Sequence, residues 1–198
     1  MTLIPTSELE AVNLMLATIG ESPVSTLTQS GQVDAVIAHQ TLSETAIDVQ
    51  SRGWRFNTDK AYPLKRAGAA PFHISAPPNA ARIDLVGGHQ TLDVTVRAGK
   101  LWDRRRHSFS FPDHPELKAD IVWLLPFDEL PQAARRYIAV KAARIFQDRV
   151  VGSSTLNRFT RRDEEMAEAG LRKFEAKTAK RSVLNASWAV MRVLDRRS

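Results

Sequence analysis

The sequence predicts an α+β fold, mainly α, in which helix pairs near the two ends of the chain form a helical bundle core and a small antiparallel β-sheet lobe is inserted between them. Three observations carry this reading. Apolar residues recur at helical spacing, with capping residues in place, over residues 8–19 and 34–52. From residue 54 to 127 the chain carries Pro63, Pro71, Pro77, Pro78, Pro112 and Pro115 with Gly68, Gly87, Gly88 and Gly99, too much punctuation for long helices. Helical periodicity then resumes at residue 131. The expected organisation is a discontinuous helical core of residues 1–53 and 128–181, a β-rich insertion of residues 54–127, and a C-terminal interaction tail of residues 182–198.

Helix one is expected from Glu8 to Ile19. Ser7 and Glu10 stand at capping-box spacing, Leu9, Val12, Leu16 and Ile19 share a face, and Gly20 supplies a left-handed C-terminal residue. In helix two Asp34 is the expected cap, Ala35, Ala38, Leu42, Ala46 and Val49 form the apolar face, and Gly53 ends the helix. The strand candidates are residues 82–86, 91–96, 100–102, 108–111 and 121–125, with Arg97-Ala98-Gly99 turning a hairpin into the third. Asp128 and Glu129 before Pro131 mark the start of helix three, expected from 131 to 150 with Ala134, Ile138, Ala142 and Ile145 facing the core and Tyr137 flanking them. A fourth helix, capped by Ser153, Ser154 or Thr155, is expected to reach Lys180. Its apolar residues Leu156, Phe159, Met166, Leu171 and Phe174 fall on no single clean face, as in helices that run between subunits. Beyond it, Leu184, Trp188, Met191 and Leu194 recur at helical spacing. Either this segment folds back on its own core or it docks on a neighbour with Trp188 as anchor.

Composition limits the function. The 198 residues, 43% hydrophobic and 25% charged, fit one globular core with room for a small second lobe. Without cysteine there are no disulfides, thiolate ligands or thiol nucleophiles, and neither a signal peptide nor a membrane span is expected. Charge is uneven: residues 131–198 hold 16 Lys and Arg against 7 Asp and Glu, whereas residues 1–130 hold 12 against 15. Such a basic back half suits a nucleic acid or an acidic protein surface, but it also describes a solvated helical face.

Chemistry-bearing patterns are sparse. His39, His73, His89, His107 and His114 are scattered without metal-ligand spacing; Gly87-Gly88 leads into no phosphate-binding helix; no serine-nucleophile elbow occurs. No metal or cofactor is expected, and no catalytic residue is assigned. Carboxylate pairs such as Asp128 with Glu129, or Asp84 with Asp93, are candidates for glycoside hydrolysis, and they also read as caps and strand-face polar residues. Arg104, Arg105 and Arg106 beside Trp102 could neutralise phosphates while Trp102 or Phe109 stacks on a base; an exposed hairpin tip or inter-subunit ion-pair patch has the same composition. The candidate partner-contact residues are therefore Arg104, Arg105, Arg106, Leu184, Trp188, Met191 and Leu194.

Three segments add a resemblance. Residues 8–27 (ELEAVNLMLATIGESPVSTL), residues 50–57 (QSRGWRFN), and the helix from Asp128-Glu129-Leu130-Pro131 through Arg136, Tyr137, Ile138, Lys141, Ala142 and Arg144 to Gly152 are similar, in order and spacing, to the tail tubular protein A family of short-tailed bacteriophages. They cover about a third of the chain; residues 63–115 and those after 181 lie outside the likeness. The resemblance implies a structural virion protein, not an enzyme: a dodecameric adaptor ring between the portal protein and the tail nozzle (tubular protein B-like) protein, with the genome leaving through its lumen. It implies self-association, contacts with portal and nozzle and with tail fibres as a further candidate, non-specific contact with passing DNA, and no membrane anchor. Location would be the virion tail, after assembly in the host cytoplasm. A glycan-hydrolysing tail protein and a DNA-binding or packaging accessory protein are the alternatives.

Overall fold

The structure, a computed structural model, describes residues 6–27, 32–152 and 161–179. It is α+β, mainly α, and divides into two compact units: residues 1–49 with 126–198, and residues 50–125.

The first unit is helical. Helix α1 (Glu8–Thr18) starts at a complete capping box, in which the Glu10 N–H donates to the Ser7 hydroxyl at 3.2 Å and the Ser7 N–H donates to the Glu10 carboxylate at 2.9 Å. It stops at Gly20, whose φ of +83° lets the Glu21 N–H reach back to the Leu16 carbonyl and the Gly20 N–H to that of Ala17. Ala11, Val12, Met15 and Leu16 are buried. The following loop is closed by Asn13, whose amide donates to the Val24 carbonyl at 3.0 Å and accepts the Val24 N–H at 2.8 Å.

Helix α2 (Val33–Ser51) begins one residue before the expected cap, so Asp34 lies in the first turn and acts on the helix dipole rather than as N-cap. Ala35, Ala38, Leu42 and Val49 are buried as expected, but Ala46 is only half-buried; Thr41 and Thr45 take the remaining inward positions, with the Thr45 hydroxyl donating to the Thr41 carbonyl at 2.7 Å. A threonine inside a helix is tolerated because that bond satisfies its hydroxyl.

Helix α3 (Gln132–Val150) follows Pro131, which holds the extended cap position. Its inward side carries Ala134, Ile138, Ala139, Ala142 and Ala143. Two expectations need correction: Tyr137 is fully buried rather than flanking, and Phe146, not Ile145, is the last buried apolar residue, followed by buried Gln147. The alanines account for this, since small residues let neighbouring helices approach closely and make room for the two rings. Helix α4 (161–179) buries only Ala167 and Leu171. It is tied to α3 by Arg144, whose Nε lies 2.5 Å from Glu164 Oε2 and whose Nη1 lies 3.1 Å from Asp148. Desolvation lowers the Arg144 guanidinium pKa, but the hydrogen bonds and charges of Glu164 and Asp148 outweigh it and the net shift is upward. The proposed caps at 153–155, Leu156 and Phe159, and the whole segment 183–194 lie outside the described residues.

The second unit is built on a three-stranded antiparallel sheet of β1 (Thr58–Lys65), β2 (Ala80–Leu85) and β5 (Glu116–Trp123), in the order β1-β5-β2, beside a two-stranded hairpin of β3 (Val94–Arg97) and β4 (Lys100–Asp103). The hairpin turns on Ala98 and Gly99, both at positive φ (+47° and +68°), the type I′ geometry that matches strand twist. Alternate residues Leu117, Ala119 and Ile121 of β5 meet Leu64, Ile74, Leu101 and Phe111 in the core.

The strand bounds shift, with residues 91–93 and 124–125 outside any strand and β5 starting at Glu116 rather than at residue 121, and two expectations fail outright. Residues 108–111 form no strand, only a bridge from Ser108 to Asp103. Strand β1 was not anticipated, because Pro63 argues against strand structure; it is tolerated because β1 lies at the sheet edge, where an N–H is dispensable. A bulge between Asp59 and Tyr62 places Ala61 at φ +51° and aims its N–H at the Asp120 carboxylate, 3.0 Å away.

Candidate functional site

The residues of the second sequence segment turn out to close the neck of the β-rich unit. The buried Gln50 side chain donates to the Leu125 carbonyl at 3.1 Å and accepts the Leu125 N–H at 2.7 Å, joining the first and last residues of that unit. Asn57, also buried, accepts the Trp54 N–H at 2.9 Å and donates to the carbonyls of Gln50 (2.9 Å) and Trp123 (2.7 Å). Between them Gly53 sits at φ +79°, and a Cβ there would lie 3.1 Å from Arg82 and 3.2 Å from Val122. The positive φ calls for glycine, and a Cβ would in addition press on the Arg82 and Val122 side chains. These are scaffold positions. Sequence reasoning found Gly53 but gave Gln50 and Asn57 no role, although an amide on either side of a helix-ending glycine is a signal for such side-chain-to-backbone closure.

The three arginines lie just beyond β4, on a turn organised by Asp103. That carboxylate, 3% exposed, accepts the backbone N–H of Arg105 at 2.8 Å and of Arg106 at 2.9 Å. Arg104 reaches Asp93 at 3.5 Å and Arg106 reaches Asp113 at 3.0 Å, whereas Arg105 makes no ion pair among the described residues. Three aspartates thus offset three arginines, and the local field is far weaker than the sequence run suggests. Trp102 is occupied as well: Arg97 lies over its ring at 5.0 Å and Phe109 meets its edge at 4.6 Å. Leu184, Trp188, Met191 and Leu194 lie outside the described residues.

Within the helical unit, α1, α3 and α4 leave an open groove of about 750 Å³. Ala133, Ala139, Ala143, Ala167 and Gly170 line it with little side-chain bulk, and Leu14 and Met166 stand beside them with large exposed apolar surface. Thr6 and Gln132 are committed to each other, the Thr6 N–H donating to Gln132 Oε1 at 2.9 Å and Gln132 Nε2 donating to the Thr6 hydroxyl at 2.8 Å. Arg136 and Asp163 supply its charges. Among the described residues Asp163 is the single carboxylate in this lining, where glycoside hydrolysis needs two. The acids singled out in the sequence are engaged elsewhere: Asp84 with Arg82 at 2.9 Å, Asp93 with Arg104, and Asp128 with Arg135 at 3.5 Å. Among the described residues no three His, Asp or Glu side chains could hold a metal ion, and no helix is long and apolar enough to cross a membrane.

Among the described residues the accessible features of the helical unit are helix faces and an open groove. The family described as tail tubular protein matches residues 9–181, and the chain belongs to it. It is a structural component of a phage tail. No curated protein matches the chain.

Proposed function

We propose that this chain forms the adaptor ring that joins the portal to the tail nozzle, dodecameric in the virion, with its lumen forming part of the DNA ejection channel. Membership of the tail tubular protein family supports this reading, and the observation that carries it is α4. A helix of residues 161–179 that buries only Ala167 and Leu171, next to an open groove with exposed Leu14 and Met166, is under-covered by the described residues of its own subunit. Portal, nozzle and neighbouring copies are the proposed partners. Residues 182–198, with Leu184, Trp188, Met191 and Leu194, are proposed to contact one of them. Co-sedimentation tests the reading: the chain should pellet with purified portal rings and, once bound, should recruit the nozzle protein. Failure to bind portal would overturn it.

Passing DNA is the proposed transient partner of the hairpin arginines. Arg105 is the residue that favours this, since Arg104 and Arg106 face aspartates. Contact of this kind is sequence-independent and weakens steeply with salt. Filter binding should show salt-dependent DNA affinity that falls when Arg104, Arg105 and Arg106 are replaced together; affinity unchanged by that replacement would remove the hairpin from the channel lining.

A further inference from the structure

Two faces of the helical unit are apolar and uncovered, and they differ in shape. On the outer side of α2, Val33, Val36, Ile37 and Ile47 are exposed by 71%, 56%, 38% and 51%. Their spacing places them on one side of the helix, with Gln40 and Glu44 between them. Branched side chains hold few rotamers, so this face is a stiff convex ridge. Its apolar area is on the order of a few hundred Å², the size at which exposed apolar surface marks a contact site. The other face is the concave groove between α1, α3 and α4.

We infer that the α2 ridge of one copy seats in the α1/α3/α4 groove of the next. Shape is the first argument: a branched ridge on a helix fits a groove lined by alanines and a glycine, which let the helix axes approach closely. Charge is the second. Beside the ridge Glu44 and Arg149 hold each other only at 3.5 Å, and the groove presents Arg136 and Asp163, so each face offers one acid and one base to the other. Symmetry is the third. Two unlike patches on one chain make a heterologous contact, which propagates from copy to copy and closes into a ring when the rotation between copies permits, whereas a self-complementary patch stops at a two-fold dimer. The inference rests on the ring reading and adds to it the surfaces that meet.

The absence of cysteine allows a direct test. Chains carrying Ile37→Cys are mixed with tagged chains carrying Met166→Cys, in the presence of portal protein and under mild oxidation. Both positions are exposed, so circular dichroism and thermal unfolding should match the parent chain. The expected product is a disulfide-linked heterodimer in several-fold excess over the two-to-one ratio that random collision gives. A statistical mixture, or a predominance of Ile37→Cys homodimers, would overturn the ridge-to-groove contact. So would a cross-link that forms only after residues 182–198 are removed, because the groove would then belong to the chain's own C-terminal segment. The unmodified chain is weighed in parallel. Assembly without the cross-link condemns the surfaces and leaves the ring reading standing; absence of assembly condemns both.

Discussion

Replacing Asn57 by alanine should be among the most damaging single changes in the β-rich unit. The side chain is 1% exposed and makes three hydrogen bonds, to the Trp54 N–H and to the Gln50 and Trp123 carbonyls. At about 1 kcal/mol net for each bond, its loss should destabilise the unit by about 3 kcal/mol. Measured against a total of about 5–15 kcal/mol for an ordinary domain, that is a large fraction. In urea the midpoint should fall by roughly 1–3 M for slopes of about 1–3 kcal/mol per M. Tryptophan fluorescence is the appropriate assay, because Trp54, Trp102 and Trp123 all lie in residues 50–125. Asn57→Asp provides a check on mechanism: it retains the acceptor for Trp54 but removes both donations and buries a charge, so it should be at least as destabilising. A loss below about 1 kcal/mol for Asn57→Ala would refute the idea that this amide holds the neck together.

Three other outcomes follow from the same physical reasoning. Gly53→Ala should destabilise by about 1–2 kcal/mol, since it combines a positive φ with close approach to Arg82 and Val122; equilibrium denaturation checks this. The Asp120 carboxyl is held below its ordinary 3.8 by the hydrogen bond from Lys60 at 2.5 Å and then by the Ala61 N–H. Because its folded value is depressed, its contribution is present above 3.8 and is lost as pH falls through the lower folded value; a carboxyl NMR titration should show the midpoint rising towards 3.8 in Lys60→Met. Glu164→Gln should weaken the link between α4 and α3 by about 1–2 kcal/mol, seen as faster amide exchange across residues 161–179 with little change in α1.

The legible parts of the fold were those written in local pattern. Ser7 with Glu10, Gly20, the Ala98-Gly99 turn and the inward Ala134, Ile138 and Ala142 of α3 each state their structure within a few residues, and the structure follows them. What escaped depended on partners distant in sequence. Strand β1 holds Pro63 only because β5 pairs on one side and the other is an edge. Residues 116–120 of β5 do alternate polar and apolar, but Pro112 and Pro115 just before them obscured the pattern. Phe146 rather than Ile145 faces inward because neighbouring helices, not the period of α3 alone, define which side is covered. The same holds for the candidate surfaces. A run of three arginines reads as basic in sequence, yet Asp93, Asp103 and Asp113 converge on it from positions eleven before to seven after. The groove was invisible because no single segment contains it.

The resemblance carried by residues 8–27 and 50–57 now has a physical basis. Asn13 closes the loop after α1, and Gln50, Gly53 and Asn57 close the neck of the β-rich unit; such residues set the shape of this scaffold. The surfaces proposed for assembly are different ones, on the outer side of α2 and along α4.

Ring formation is the central claim, and native mass spectrometry of the chain alone and bound to portal protein tests it most directly. The account predicts a discrete dodecameric complement of this chain on each portal assembly, whatever the state of the isolated protein. A chain that remains monomeric and unbound at micromolar concentration in the presence of portal would contradict it.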